Sequence, residues 1–205
     1  MSRSALTIAV GAMLVLAAGV RPAGATAYIG VGGGVTPHVD TKIYYYGYHG
    51  DTPDTLRVSP GYGFEAQFGW ESAPWVDIEG CLRYHGFNVT GAPSPDSSTV
   101  THYSAVGFEG GVRLHPRRGL TNSAPYVRFG IGSYSPSLTL SHGDGTLSND
   151  TRVGYFVGIG YTLERTSSYG LDLRATMVRF TSFGADQGVK LDSGFLSVAL
   201  SVVVF

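Results

Sequence analysis

Thirteen residues decide the fold: Arg152-Val153-Gly154-Tyr155-Phe156-Val157-Gly158-Ile159-Gly160-Tyr161-Thr162-Leu163-Glu164. Val153, Tyr155, Val157, Ile159, Tyr161 and Leu163 recur at every second position, which in an extended chain places them on one face. Arg152, Gly154, Gly158, Gly160, Thr162 and Glu164 take the other face, with Phe156 as its apolar member. A helix would scatter the same residues around its circumference, so the stretch reads as a β-strand with one apolar and one polar wall.

The same period runs outward in both directions. Strands are expected near 28–39, 58–70, 75–89, 100–115, 125–140, 150–164, 169–180 and 191–205. Tyr169, Leu171, Leu173, Ala175 and Met177 oppose Asp172, Arg174 and Thr176. Val76, Ile78, Leu82 and Tyr84 oppose Asp77, Glu79, Arg83 and His85, and Val106, Phe108, Val112 and Leu114 oppose Glu109, Arg113 and His115. Tyr62, Phe64, Phe68 and Trp70 oppose Glu65 and Gln67, and Val127, Phe129 and Ile131 oppose Tyr126 and Arg128. The connections alternate: Glu71–Pro74 and Arg165–Ser168 are tight and Pro116–Ala124 is moderate. The stretches 40–57, 90–99, 141–149 and 181–190 are longer and rich in Gly, Asp, Ser, Thr and Tyr.

The first 27 residues read differently. Arg3 precedes an uncharged apolar run from Ala5 to Val20, followed by Arg21, Pro22 and a small-residue tail ending Ala25-Thr26-Ala27. That order is a secretory signal peptide with cleavage expected before Tyr28, leaving 28–205 as one domain. No later run is long enough for a helical span. Insertion into a membrane then requires strands closed into a barrel, where every backbone group finds a partner.

Composition supports strands and tight turns, with 30 glycines and 13 tyrosines. Removing Arg3 and Arg21 reduces 14 basic residues to 12 against 15 acidic ones, a balance that gives no hint of nucleic-acid binding. Lys42 and Lys190 are the only lysines. The mid-strand charges form a balanced set, with Glu65, Asp77, Glu79, Glu109 and Asp172 against Arg83, Arg113, Arg128, Arg152 and Arg174. Such a set suits an enclosed ion-pair network, while a soluble exterior carries more charge and more lysine. Trp70 and Trp75 flank one tight turn and Tyr161 and Tyr169 another, where interfacial aromatic girdles belong. The expected architecture is all-β: an eight-stranded antiparallel up-and-down transmembrane barrel with short periplasmic turns and longer extracellular loops. A soluble, lipocalin-like periplasmic ligand-binding barrel would share the period but turn it inside out.

Tyr28-Ile29-Gly30-Val31-Gly32-Gly33-Gly34, the hairpin rhythm and Phe205 resemble the small outer-membrane β-barrel family, which includes OmpX-like, OmpA-barrel-like and opacity-type porin-like proteins. The resemblance implies a bacterial outer-membrane location and contact with outer-membrane lipid and lipopolysaccharide. It also implies that Phe205 serves as a signal to the outer-membrane assembly machinery. In the family the terminal Phe shares its face with apolar residues at alternate positions. Here Leu196, Val198, Leu200, Val202 and Val204 lie on the opposite parity from Phe205, and a bulge near Val202 to Val204 would bring them into line.

Candidate chemistry is sparse. Asp77 and Glu79 have arginines at hand and read as structural pairs rather than catalytic acids. His102 and Ser104, on the apolar face, faintly resemble the His-x-Ser of lipid A deacylases, which makes an outer-leaflet hydrolase the alternative function. Ala105 stands where that motif has Asn, and Glu109 points to the other face, so no carboxylate is at hand to orient His102. His49, Asp51 and Asp54, or His142, Asp144 and Asp150, lack metal-loop spacing. No catalytic set, metal site or cofactor is therefore expected. Cys81, the single cysteine, reads as a small lumen filler. Ile43-Tyr44-Tyr45-Tyr46-Gly47-Tyr48-His49 offers two readings, a recognition surface rich in rigid aromatic area or an extension of the sheet above the membrane. The leading expectation is a non-enzymatic surface protein that contacts host or environment through its loops. A wide diffusion pore is excluded, since eight strands leave an interior that side chains fill.

Overall fold

The computed structural model describes residues 26–45, 54–55, 58–93, 99–115, 123–140, 146–148, 151–166, 168–184 and 189–205. The expected leader as far as Ala25 and the centres of the longer connections, including Tyr46–His49, Asp51 and the His142–Asp144–Asp150 group, lie outside them. Ala27, the last residue of the expected leader, opens the first strand.

Eight long strands dominate the described residues: β1 (Ala27–Tyr45), β2 (Gly61–Ala73), β3 (Val76–Pro93), β4 (Thr99–Leu114), β5 (Ala124–Leu140), β6 (Arg152–Arg165), β7 (Tyr169–Gly184) and β8 (Val189–Val204). Each pairs antiparallel with its chain neighbours. β8 returns to β1, from Ile29 opposite Val204 to Tyr45 opposite Val189, and closes the barrel. Closure leaves no long sheet edge unpaired, the condition for strands to cross a membrane. Two short strands, Asp54–Thr55 and Thr146–Ser148, add to β1 and β5 at the loop end.

The strand boundaries depart most from expectation at the loop end. β1 continues six residues past Val39, and Lys42 and Ile43 pair with Thr55 and Asp54. The described part of the tyrosine-rich segment is thus an extension of the sheet. β7 runs to Gly184 and β3 to Pro93. With 13 to 19 residues, every long strand exceeds the 9–11 that an outer membrane requires.

The faces sort as their parity dictates. Ile29, Val31, Phe64, Ile78, Phe108, Phe129, Ile131, Val157, Ile159, Leu173, Leu200 and Val202 all point outward and are exposed. Glu65, Asp77, Glu79, Arg83, Glu109, Arg113, Arg128, Asp172 and Arg174 are buried within. The extremes are instructive: Ile159 is 65% exposed and Arg128 is 0% exposed. A lipocalin-like barrel would show the reverse.

Burial alternates in β8 without a break from Leu196 to Val204, and the pairing with β7 is in constant register throughout. The one shift against β1, between Val35 and His38, lies opposite Leu196–Val198 and not near Val202–Val204. The bulge that would have turned Phe205 outward is absent. Its parity instead carries it to the turn-end mouth of the lumen, where its N–H donates to Ser168 O at 3.1 Å. There it stacks edge-on to Tyr28, with ring centroids 6.1 Å apart, and the Arg165 guanidinium sits 4.3 Å over its ring.

Candidate functional site: the barrel lumen and its outer rim

Strand pairing brings the buried charges to one level. Cross-strand neighbours Glu65 and Arg83 face each other on β2 and β3. The remaining contacts either run diagonally between adjacent strands or, for Arg113–Asp172, Arg128–Glu79 and Arg174–Glu65, reach past the neighbouring strand across the interior. Arg113 on β4 reaches Asp172 on β7 at 2.6 Å and Glu79 on β3 at 3.1 Å. Arg128 on β5 holds Glu79 at 2.6 Å and Glu109 at 3.3 Å. Arg83 lies 3.4 Å from Glu109 and 3.3 Å from Glu65, and Arg174 Nε donates to Glu65 Oε1 at 2.8 Å. The eight side chains form one alternating file, Asp172–Arg113–Glu79–Arg128–Glu109–Arg83–Glu65–Arg174, in which every inner member touches two opposite charges.

Such a file answers the main energetic difficulty of an ionic interior. Moving a charge out of water costs several kcal/mol, and Coulomb attraction repays it only when geometry and hydrogen bonding are both good. Here Arg128 also donates to Thr176 at 3.1 Å, Arg113 to Gln67 at 3.3 Å, and Arg174 to Ser201 at 3.2 Å. Arg113 is additionally stacked 4.2 Å over Tyr126 and Arg128 4.5 Å over Phe156. Asp77 stands 3.0 Å from His115 at the turn end. Arg152, the first residue of β6, is half-buried at the loop end.

Glycines make the space. A Cβ on Gly160 would collide with the Tyr126 ring, and one on Gly111 or Gly130 would press on Phe156. The rings of Tyr126, Tyr134 and Phe156 thus occupy space that a side chain on the neighbouring strand would fill.

Above the charged file the lumen changes character. Phe87, Tyr103, Tyr134, Leu138, Phe156, Val178, Phe180 and Phe195 form a buried cluster, with Val39 and Val58 packed against it. Tyr134 and Phe180 are stacked at 4.9 Å and Phe87 and Tyr103 at 5.4 Å. The cluster's two best-placed hydroxyls are both satisfied, Tyr103 donating to Ser193 at 2.9 Å and Tyr134 to Glu109 at 3.1 Å. The lumen is therefore polar in its turn-end half and aromatic in its loop-end half, whereas the strand patterns led us to expect a polar filling throughout. The signal was present: continuing the parity of Arg174 and Thr176 along β7 arrives at Val178 and Phe180.

On the outer wall, Trp75, Tyr161 and Tyr169 are exposed at the turn end, with Trp70 half-buried beside them. His102 and Ser104 also face outward, half-buried, near the loop end. Gly86 lies opposite Tyr62 and Ser104, and the Tyr84 hydroxyl is hydrogen-bonded to Tyr62 and Ser104. Glu109 is buried in the lumen file, on the far side of the wall from His102. Above this level the exposed residues are polar: Asn88, Thr101, Thr139 and Thr151 are all exposed, and Arg179 lies 3.7 Å from Asp192.

A closed barrel with an apolar exterior and an ionic interior is one side of the comparison with known proteins. The other is a family model described as "Outer membrane protein beta-barrel domain", which matches residues 6–202. The chain belongs to the outer membrane protein β-barrel family. It is a bacterial outer-membrane protein, with its short turns on the periplasmic side and its rim outside. No curated protein sequence matches it. Among solved structures, the outer membrane protein OprG from Pseudomonas aeruginosa superposes with a TM-score of 0.65 at 12% identity, over 87% of this chain and 95% of that one. Neisserial surface protein A gives 0.54 at 16% identity, over 87% and 98%. The solid-state NMR structure of outer membrane protein AlkL in DMPC bilayers gives 0.51 at 13%, over 86% and 89%. At these identities the likeness is one of fold.

Proposed function

We propose that this barrel is a non-enzymatic surface protein that acts through its extracellular rim. One observation carries the reading: the strands run past the apolar belt on the loop side only. A belt about 25 Å tall uses roughly 9–11 tilted residues, and on β3, β4 and β5 the strands then continue into the exposed polar positions Asn88, Thr101 and Thr139. This continuation is a rigid platform on which the extracellular connections stand. Neisserial surface protein A, by its name a surface protein, shares the fold.

Lipid and lipopolysaccharide surround the belt in this reading, with Trp70, Trp75, Tyr161 and Tyr169 as its periplasmic girdle, and β8 with Phe205 is what the assembly machinery reads. The outer-leaflet hydrolase is disfavoured because Glu109, the acid on the same strand, is buried in the lumen file and cannot orient His102 from the outer wall.

The test uses cells lacking the protein and complemented with wild type, with N88E/T101E/T139E, or with His102→Ala. Attachment to host cells and to abiotic surfaces is scored beside mass spectrometry of the membrane lipids. The rim variant is expected to insert normally and lose attachment, while His102→Ala keeps it. Unchanged attachment in the rim variant, or lipid deacylation that His102→Ala abolishes, would refute the proposal.

A further inference from the structure

The two halves of the lumen differ in what they ask of water. In the charged half, Arg83 Nε and Nη1, Gln67 Nε2 and Arg174 Nη1 are buried and have no hydrogen-bond acceptor among the described residues. Arg83 and Arg174 both contact Glu65, and Gln67 lies directly across from Cys81. Surplus buried donors of this kind are satisfied by internal water in folded proteins. A cavity of about 20 Å³, lined by Tyr28, Asp77, Arg113, Asp172 and Phe205 among others, lies at the periplasmic end of the same half and has room for one water molecule.

The aromatic half makes far less demand. Among its described polar groups, His85 Nδ1 is 3.0 Å from Thr36 Oγ1, and only His85 Nε2 is buried without a partner. That ring meets Phe195 at 4.4 Å and lies two residues along β3 from Arg83. Its rings and aliphatic side chains are almost wholly buried, and the Tyr103 and Tyr134 hydroxyls already have protein partners. A constriction lined only by apolar groups excludes water and, with it, ions.

We infer that the cluster of Phe87, Phe156, Val178, Phe180 and Phe195 is a hydrophobic gate lying over a hydrated charged chamber. The barrel insulates because this one segment is dry, and the ionic file beneath it is a latent aqueous path. The inference does not depend on what the extracellular rim contacts.

Cys81 is a built-in reporter. It is the sole cysteine of the chain, it sits in the charged half, and its side chain is buried. The full-length barrel, inserted in lipid vesicles with its extracellular side outward, is exposed from outside only to a small membrane-impermeant cationic methanethiosulfonate. Labelling of Cys81 is followed by mass spectrometry beside planar-bilayer conductance. The wild type is expected to stay unlabelled and silent. Phe195→Ala and Phe87→Ala should each label faster, on the order of tenfold or more, and conduct.

Retention of the heat-dependent gel shift identifies the folded variants. Val178→Thr, which wets the segment at nearly constant volume, covers the case in which truncation prevents folding, and it should accelerate labelling in the same direction. Folded gate variants that remain unlabelled and silent would overturn the inference. So would fast labelling in Phe205→Ala with none in the gate variants, since the barrier would then lie at the periplasmic mouth.

Discussion

The periplasmic and extracellular halves of the lumen are enclosed by the same eight strands, yet they are filled by opposite chemistries. Below, charges are matched one against two along a file that ends on Asp172 and Arg174. Above, rings pack with centroids 4.4 to 6.4 Å apart, and among the described residues one ring hydroxyl reaches the file from this side, that of Tyr134 to Glu109. The difference lies in how each filling tolerates loss. An ion pair loses most when one member is removed and a charge is stranded. A packed ring loses in proportion to the volume removed, whatever happens to its neighbour.

The largest effect is therefore expected from truncating two rings. Phe180→Ala and Phe195→Ala should each cost about 3–5 kcal/mol, and the double variant should lose more than either. Urea unfolding of the barrel in lipid vesicles measures this, and a double variant no worse than its singles would show that the segment is loosely packed. In the file, Arg174→Ala alone should cost about 3–5 kcal/mol by leaving Glu65 under-compensated. Arg174→Met with Glu65→Leu should restore most of that loss or remove it, because replacing a whole buried pair by apolar groups is often neutral. The same unfolding assay decides the point, and a double loss exceeding the single would erase the contrast between the halves.

On the outside, Val157→Arg should cost roughly 2–4 kcal/mol in lipid, with little change in detergent micelles as the control. The smallest effect belongs to the wall. Gly160→Ala would force the Tyr126 ring to move and should destabilise by about 1–3 kcal/mol, and pairing it with Tyr126→Ala should recover part of the loss.

Much of this was legible in the chain because the strand period is two. Once Ile159 and Arg128 were placed on opposite walls, the polarity of the barrel followed. Of the ten charges named from parity, nine are buried in the lumen, with Arg152 half-buried at the loop end. Their partners could not. That Arg113 on β4 meets Asp172 on β7 is a consequence of closure, which brings together residues 59 positions apart and leaves no local trace. The aromatic half escaped for another reason: in Met177-Val178-Arg179-Phe180 the large apolar residues fall on both parities, so alternation loses contrast where the strands leave the membrane. Phe205 was misleading in the same way. Family habit and local parity pointed to opposite faces for it, and the unbroken alternation of Leu196 to Val204 carries it inward.

Everything rests on the apolar wall facing acyl chains. A nitroxide at Ile159, in a Cys81→Ala background reconstituted in bilayers, reports this most directly, with Thr151 on the rim as the reference. The account predicts that oxygen relaxes the label at Ile159 strongly and a water-soluble nickel chelate hardly at all, with the order reversed at Thr151. Strong relaxation by nickel and protection from oxygen at Ile159 would contradict it.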